Sequence, residues 1–207
     1  MAFDKSQLES DLKDIFFTMK KESKDDDWFA EELSKAVKDF GESGDIVTVD
    51  TGTVSSGIFT GSGQGSLSLT DSIMSAPIKA CCALMKQGLG DDTALANAIG
   101  NGMLLMTTSG KAETDVVGTT ISPVGVVVPP ASGTAEGTIT CQNATLIAGL
   151  ILCFQSMKTK YKDEGFNGDE YFASQMATLT DDYFKAGVIA TSGQGVLSGT
   201  VGTGSIS

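Results

Sequence analysis

Among the side chains that could do chemistry, the carboxylates cluster most clearly, at Asp25-Asp26-Asp27, Asp91-Asp92, Asp169-Glu170 and Asp181-Asp182. A calcium or magnesium loop needs oxygen ligands at alternating positions, a glycine at the turn and a closing glutamate, and no cluster has that spacing. Helix capping and solvation account for them, and no metal site is expected. Gly61-x-Gly63-x-Gly65 and Gly193-x-Gly195-x-x-x-Gly199 have glycines spaced as in phosphate-binding loops. Neither lies between a strand and a helix of a βαβ unit, and Gly110-Lys111 lacks the upstream glycine and following hydroxyl of a P-loop. The chain has no histidine and no arginine: its 14 basic residues are all lysines, set against 26 acidic ones for a net charge of −12. That composition removes the imidazole on which zincins, Ser-His-Asp and Cys-His sites depend, together with the planar phosphate fork. No serine, cysteine, lysine or carboxylate can be matched with a partner base. The expectation is a chain that is not an enzyme, has no cofactor and no small-molecule substrate, and makes no direct nucleic-acid contact.

The glycines and carboxylates recur because the elements that carry them recur. Three segments align, 1–70, 71–142 and 143–207. The first pair runs without a gap at an offset of 66 residues through Met19/Met85, Asp26/Asp92, Ala30/Ala96, Gly44/Gly110 and Gly52/Gly118. The third joins at Met157, Asp169, Ala173, Gly187 and Gly195 after an insertion near residues 159–166, and Gly65/Gly137/Gly204 closes each unit. The expected fold class is α+β: three tandem repeats, each a helical hairpin followed by a Gly/Thr/Val-rich β ribbon. Leu8, Leu12, Ile15, Phe16 and Met19 mark one helical face, and the same columns hold Met74, Ile78, Cys81, Cys82 and Met85, then Leu146, Leu150, Cys153, Phe154 and Met157. Cys81 and Cys153 thus read as small core residues. Second helices start at Asp26, Asp92 and Asp169, continue through Leu33/Ile99/Met176 and Phe40/Met106/Tyr183, and meet Gly44, Gly110 and Gly187, expected as left-handed caps. Beyond each glycine the period changes to that of a strand.

Charge is distributed unevenly. Residues 1–45 hold 20 of the 40 charged side chains, residues 46–160 hold 12 and residues 161–207 hold 8. The ribbon of the charge-poor middle repeat, with Pro123, Pro129 and Pro130, is expected to be longer and to project as an edge or loop, and part of that repeat is expected to supply permanent contacts. The assembly contacts expected there are Val116, Val117, Val126, Val127, Val128, Pro129 and Pro130. The N-terminal residues lack a basic segment followed by an apolar core, and the most apolar run, residues 144–154, is too short to span a bilayer. A soluble chain made in a cytoplasm, with four reduced cysteines and no membrane partner, is expected.

The second unit carries a resemblance. Thr108-Ser109-Gly110, Val117-Gly118-Thr119-Thr120 and Val128-Pro129-Pro130-Ala131-Ser132-Gly133, within Ala94 to Gly137, follow two short helices in a way that resembles small structural proteins of tailed bacteriophages. The resemblance implies a non-enzymatic virion component at the head-tail connection, collar, tail or capsid surface. It would be made in the host cytoplasm and work by symmetric self-association with its own copies and other virion proteins. Three units can stand about a pseudo-threefold axis and so meet threefold or sixfold surroundings. The alternative is a surface interaction or adhesion module secreted without an N-terminal signal.

Overall fold

The structure is a computed structural model that describes residues 3–207, with every side chain among them except those of Pro129 and Pro130. The order helix, helix, strand, strand occurs three times. It runs α1 (Lys5–Glu22), α2 (Asp26–Ser43), β1 (Ile46–Val54), β2 (Gly57–Ser68); α3 (Asp71–Lys86), α4 (Asp92–Ser109), β3 (Lys111–Ile121), β4 (Val127–Thr140); α5 (Ala144–Lys160), α6 (Gly168–Lys185), β5 (Val188–Gly193) and β6 (Thr200–Ile206). A 3-10 turn at Gly195–Leu197 separates the last two strands.

Each helix packs on the next and α6 returns to α1, so the six form a closed ring. The apolar columns face its axis: Leu12, Ile78 and Leu150 are fully buried, as are Ala30, Ala96 and Ala173, and Leu33, Ile99 and Met176. Ile15, Cys81 and Cys153 occupy one buried column, and all four cysteines are free thiols inside the protein. Asp25 and Asp91, one residue ahead of the expected starts, accept the Trp28 and Ala94 amide N–H groups, and Asn167 does the same for Asp169 and Glu170.

The sequence suggested one β ribbon in each of three repeats, but the strands instead close a single antiparallel barrel in the order β1-β2-β3-β4-β5-β6. Pairing of β2 with β3 (Ser68↔Lys111) and of β1 with β6 (Ile46↔Ile206) joins hairpins distant in the chain and leaves all three helical hairpins at one end. Closure pairs most of the strand edges that free ribbons would expose. Six strands enclose a narrow interior, so inward positions carry small residues. A Cβ on Gly202 would overlap the Asp50 carboxylate and the Thr191 hydroxyl, and one on Gly63 would overlap Thr48.

The barrel interior has three levels. Beside the helices, Ile46, Leu67, Ala112, Ile139, Ile189 and Ile206 continue the main core. Below them lie buried Thr48, Asp50, Thr114 and Thr191. The far end is closed by Val54, Phe59, Val116, Ala135 and Leu197.

The glycines after the second helices are not left-handed caps. Gly44 and Gly110 have φ of −75° and −70°, and Gly187 has no positive φ. They are needed for close approach: a Cβ on Gly44 would overlap Phe3 and Ile206, one on Gly110 would overlap Leu69, and one on Gly187 would sit 2.7 Å from Ile139 Cδ1. Each passes a helix end closely under an apolar side chain: Ile206 and Ile139 from the barrel at Gly44 and Gly187, and Leu69 from the β2–α3 connection at Gly110.

Candidate functional site

Two surfaces at opposite ends of the molecule stand out. The first is the free end of the barrel. Residues 51–63, 117–134 and 192–203, which build it, contain no charged side chain. Strand alternation turns large aliphatic groups outward: Ile58, Ile121 and Val127 are neighbours across β2, β3 and β4 and all are exposed. Val124, 83% exposed, and Val126 extend this strip over the β3–β4 loop, and Val117, Val196 and Val201 add further exposed groups.

The expected assembly residues divide by the same alternation. Val117, Val126 and Val127 are 57%, 60% and 65% exposed, and Val128 is half-buried. Val116 is 1% exposed because it points into the barrel against Phe59 and Leu197, so it contacts no outside partner. Pro129 and Pro130 have side chains outside those described. Their backbone lies in β4 where the register steps from Gly118↔Ala131 to Thr120↔Val128, a one-residue bulge that accommodates residues unable to donate to the ladder. The β3–β4 hairpin is the longest, and β4 pairs with β5 only over residues 135–140. Residues 127–133 therefore have no strand partner on that side, where the 3-10 turn lies against Gly133 through Leu197.

The second surface is the mouth of the helical ring. Here Phe16, Phe29, Phe154 and Phe172 make a chain of ring contacts with centroids 5.5–5.6 Å apart. A cleft of about 560 Å³ opens beside them, lined by Phe16, Met19, Phe29, Cys82, Met85 and Leu95. A smaller void of about 150 Å³, bounded by Ile99, Phe154 and Phe172, shares Phe16, Phe29 and Leu95 with it. In the aligned columns units one and three place Phe where unit two has Cys82 and Leu95. The smaller side chains leave the axial cluster incomplete on that side.

Three ion pairs ring the mouth. Lys20 of α1 bonds Asp169 of α6, Lys86 of α3 reaches Asp26 of α2 at 3.1 Å, and Lys158 of α5 reaches Asp92 of α4 at 2.6 Å. Each lysine joins its helical hairpin to the preceding one, cyclically. The hydrogen bonds they donate to Asp26 and Asp92 push the Lys86 and Lys158 ammonium groups above the usual range. Burial, reinforced by the Asp26 carboxylate, pushes up the Cys82 thiol. The aspartates were legible in sequence as a recurring column, but as helix starts; the matching column Lys20/Lys86/Lys158 lies in the same alignment and was the missed signal.

Asp50 is fully buried, accepting hydrogen bonds from Thr48 Oγ1 at 2.6 Å and Thr191 Oγ1 at 3.3 Å. Among the described residues no ion pair reaches it and no group of three or more His, Cys, Asp or Glu could hold a metal. Among the described residues no helix is long and apolar enough to cross a membrane.

No protein-family model matches the chain, and neither the curated proteins nor the solved structures include a significant match.

Proposed function

We propose that the chain is a non-enzymatic assembly protein built from three helical-hairpin and β-hairpin units about a pseudo-threefold axis, and that it docks through the free end of its barrel. The observation that carries this is the combination, at one end, of 43 residues without a charge and a strip of exposed aliphatic side chains. Exposed apolar area of that kind is costly in water and marks association surfaces. Lysines and carboxylates on the helical half keep the other end solvated. The cyclic ion pairs and the matching buried columns support the threefold arrangement, which lets one chain present similar surfaces to a threefold or sixfold partner.

The setting that suits such a protein is the particle of a tailed bacteriophage, where it would associate with its own copies and with other virion proteins. The phage-like segment from Ala94 to Gly137 includes much of the exposed strip. Electron microscopy of the purified protein, alone and mixed with disrupted particles of a candidate phage, tests the assignment. Rings, tubes or decorated particle fragments are expected. Isolated single chains that instead bind glycans would favour the secreted adhesion module and overturn the virion role.

A further inference from the structure

The mouth of the helical ring holds three adjoining apolar spaces. Beside the cleft of about 560 Å³ at Cys82 and Leu95 there is a second cleft of about 420 Å³, lined by Phe154, Met157, Tyr161, Phe166 and Gly168. The void of about 150 Å³ links them: it shares Phe16, Phe29, Leu95 and Asp169 with the first cleft and Phe154 and Met157 with the second. The shared apolar side chains are half-buried, whereas Ile99 and Phe172 at the inner side of the void are buried. Apolar space therefore runs inward from both clefts to the axial phenylalanine cluster.

Charge and shape narrow what fits there. Every charged residue lining the three spaces is joined to another of them: Lys20 to Asp169, Lys86 to Asp26 and Lys158 to Asp92. The lining as a whole is neutral, and an entering carboxylate or ammonium would have to compete with an existing pair for its counter-charge. Met19, Met85 and Met157, one aligned column, each precede a rim lysine and line the clefts. Methionines repack around a flexible guest. An apolar void of about 150 Å³ accepts a group no larger than about a benzene ring, so a compact polycycle is too wide for it. A thin chain passes.

We infer that the mouth binds one free, extended alkyl chain with an uncharged polar head, of the class of long-chain alcohols and monoacylglycerols, lying across both clefts through the axial void. Each methylene taken from water adds to binding, and the uncharged head rests at the rim without disturbing its ion pairs.

Three substitutions close the three spaces separately. Cys82→Phe fills the first cleft with the residue found at Phe16 and Phe154, and Leu95→Phe fills the side of the void with the residue found at Phe29 and Phe172. Gly168→Leu fills the second cleft, where a Cβ meets Met157 and Phe166 at 3.4 and 3.8 Å, ordinary contact distances. Calorimetric titration of the full chain with dodecanol should give one site per chain. In displacement of the neutral dye Nile red, dodecanol should bind at least tenfold more tightly than hexanol, and dodecanoate and dodecylammonium each at least fivefold more weakly than dodecanol. Each filled variant should lose at least tenfold in dodecanol affinity, while Val127→Asp at the far end should leave it unchanged. Circular dichroism identifies any variant that fails to fold, and the others then decide. Failure of dodecanol to bind, equal or tighter binding of either charged chain, or undiminished binding to a folded filled variant overturns the proposal. Two sites per chain, one surviving in Cys82→Phe and the other in Gly168→Leu, would make the clefts independent and also overturn it. Flotation of the chain with phosphatidylcholine vesicles, lost in the filled variants and not competed by dodecanol, overturns it in favour of a bilayer surface.

Discussion

Inside the barrel, Asp50 is held by hydroxyls, and among the described residues no cation forms an ion pair with it. Removing its carboxylate leaves the Thr48 and Thr191 hydroxyls without their acceptor in a space closed to water. Asp50→Ala should therefore lower stability by about 1–3 kcal/mol in urea unfolding, the usual cost of orphaning buried polar groups. Asp50→Asn keeps an acceptor oxygen of the same shape and should cost less; equal losses would contradict the hydrogen-bonding role. The buried thiols make a separate prediction about pH. Burial pushes Cys141 and Cys153 up to about 11 from 9.0. A folded-state value raised in this way gives stability that is intact below the unfolded value and is lost as pH climbs through the folded one. The unfolding midpoint should accordingly fall between about pH 9 and 11, and replacing both cysteines by alanine should flatten that fall. At pH 8 a thiol reagent should modify Cys82, which lines the open cleft, faster than Cys141 or Cys153.

Helix and strand junctions set tolerances that differ sharply. Gly44, Gly110 and Gly187 let apolar side chains pass close to the helix ends, so Gly187→Val should cost about 1–3 kcal/mol through overpacking. The ion pairs between neighbouring hairpins have exposed lysines, and Lys86→Gln should cost less than about 1 kcal/mol, with the loss shrinking further in high salt. A ranking in the opposite order, measured by chemical unfolding, would mean that charge holds the ring together. Helical faces were legible because a 3.6-residue period repeats in all three segments, and the same columns are buried. The barrel was not legible, because closure depends on pairings such as Ser68↔Lys111 and Ile46↔Ile206 across long stretches of chain, to which local periodicity is blind. Val116 was misplaced for a related reason: consecutive valines hide the phase of the strand, and the interior position of Val116 follows only from its register with Gly63 and Gly133. The glycine columns were visible, but their spacing does not distinguish a left-handed turn from a close approach. The cleft at the mouth was also encoded, in the exchange of Phe for Cys82 and Leu95, yet only the ring of helices turns that exchange into a vacancy.

The whole molecule is polarised along its axis, with charged helices at one end and an uncharged barrel tip at the other. Burial of the tip against a copy or a partner would remove exposed Ile58, Ile121, Val124, Val126 and Val127 from water together. Substitutions at the tip should thus alter association without altering the fold, because these side chains point away from both cores. The most direct measurement is sedimentation velocity of the full chain over a wide concentration range, with Val127→Asp run alongside and circular dichroism recorded on both. The wild-type chain should sediment as species heavier than the 21.4 kDa monomer, and the variant should shift toward the monomer with unchanged helical signal. A wild-type chain that stays strictly monomeric throughout, or a variant that associates as fully as the wild type, would contradict assembly through the barrel tip.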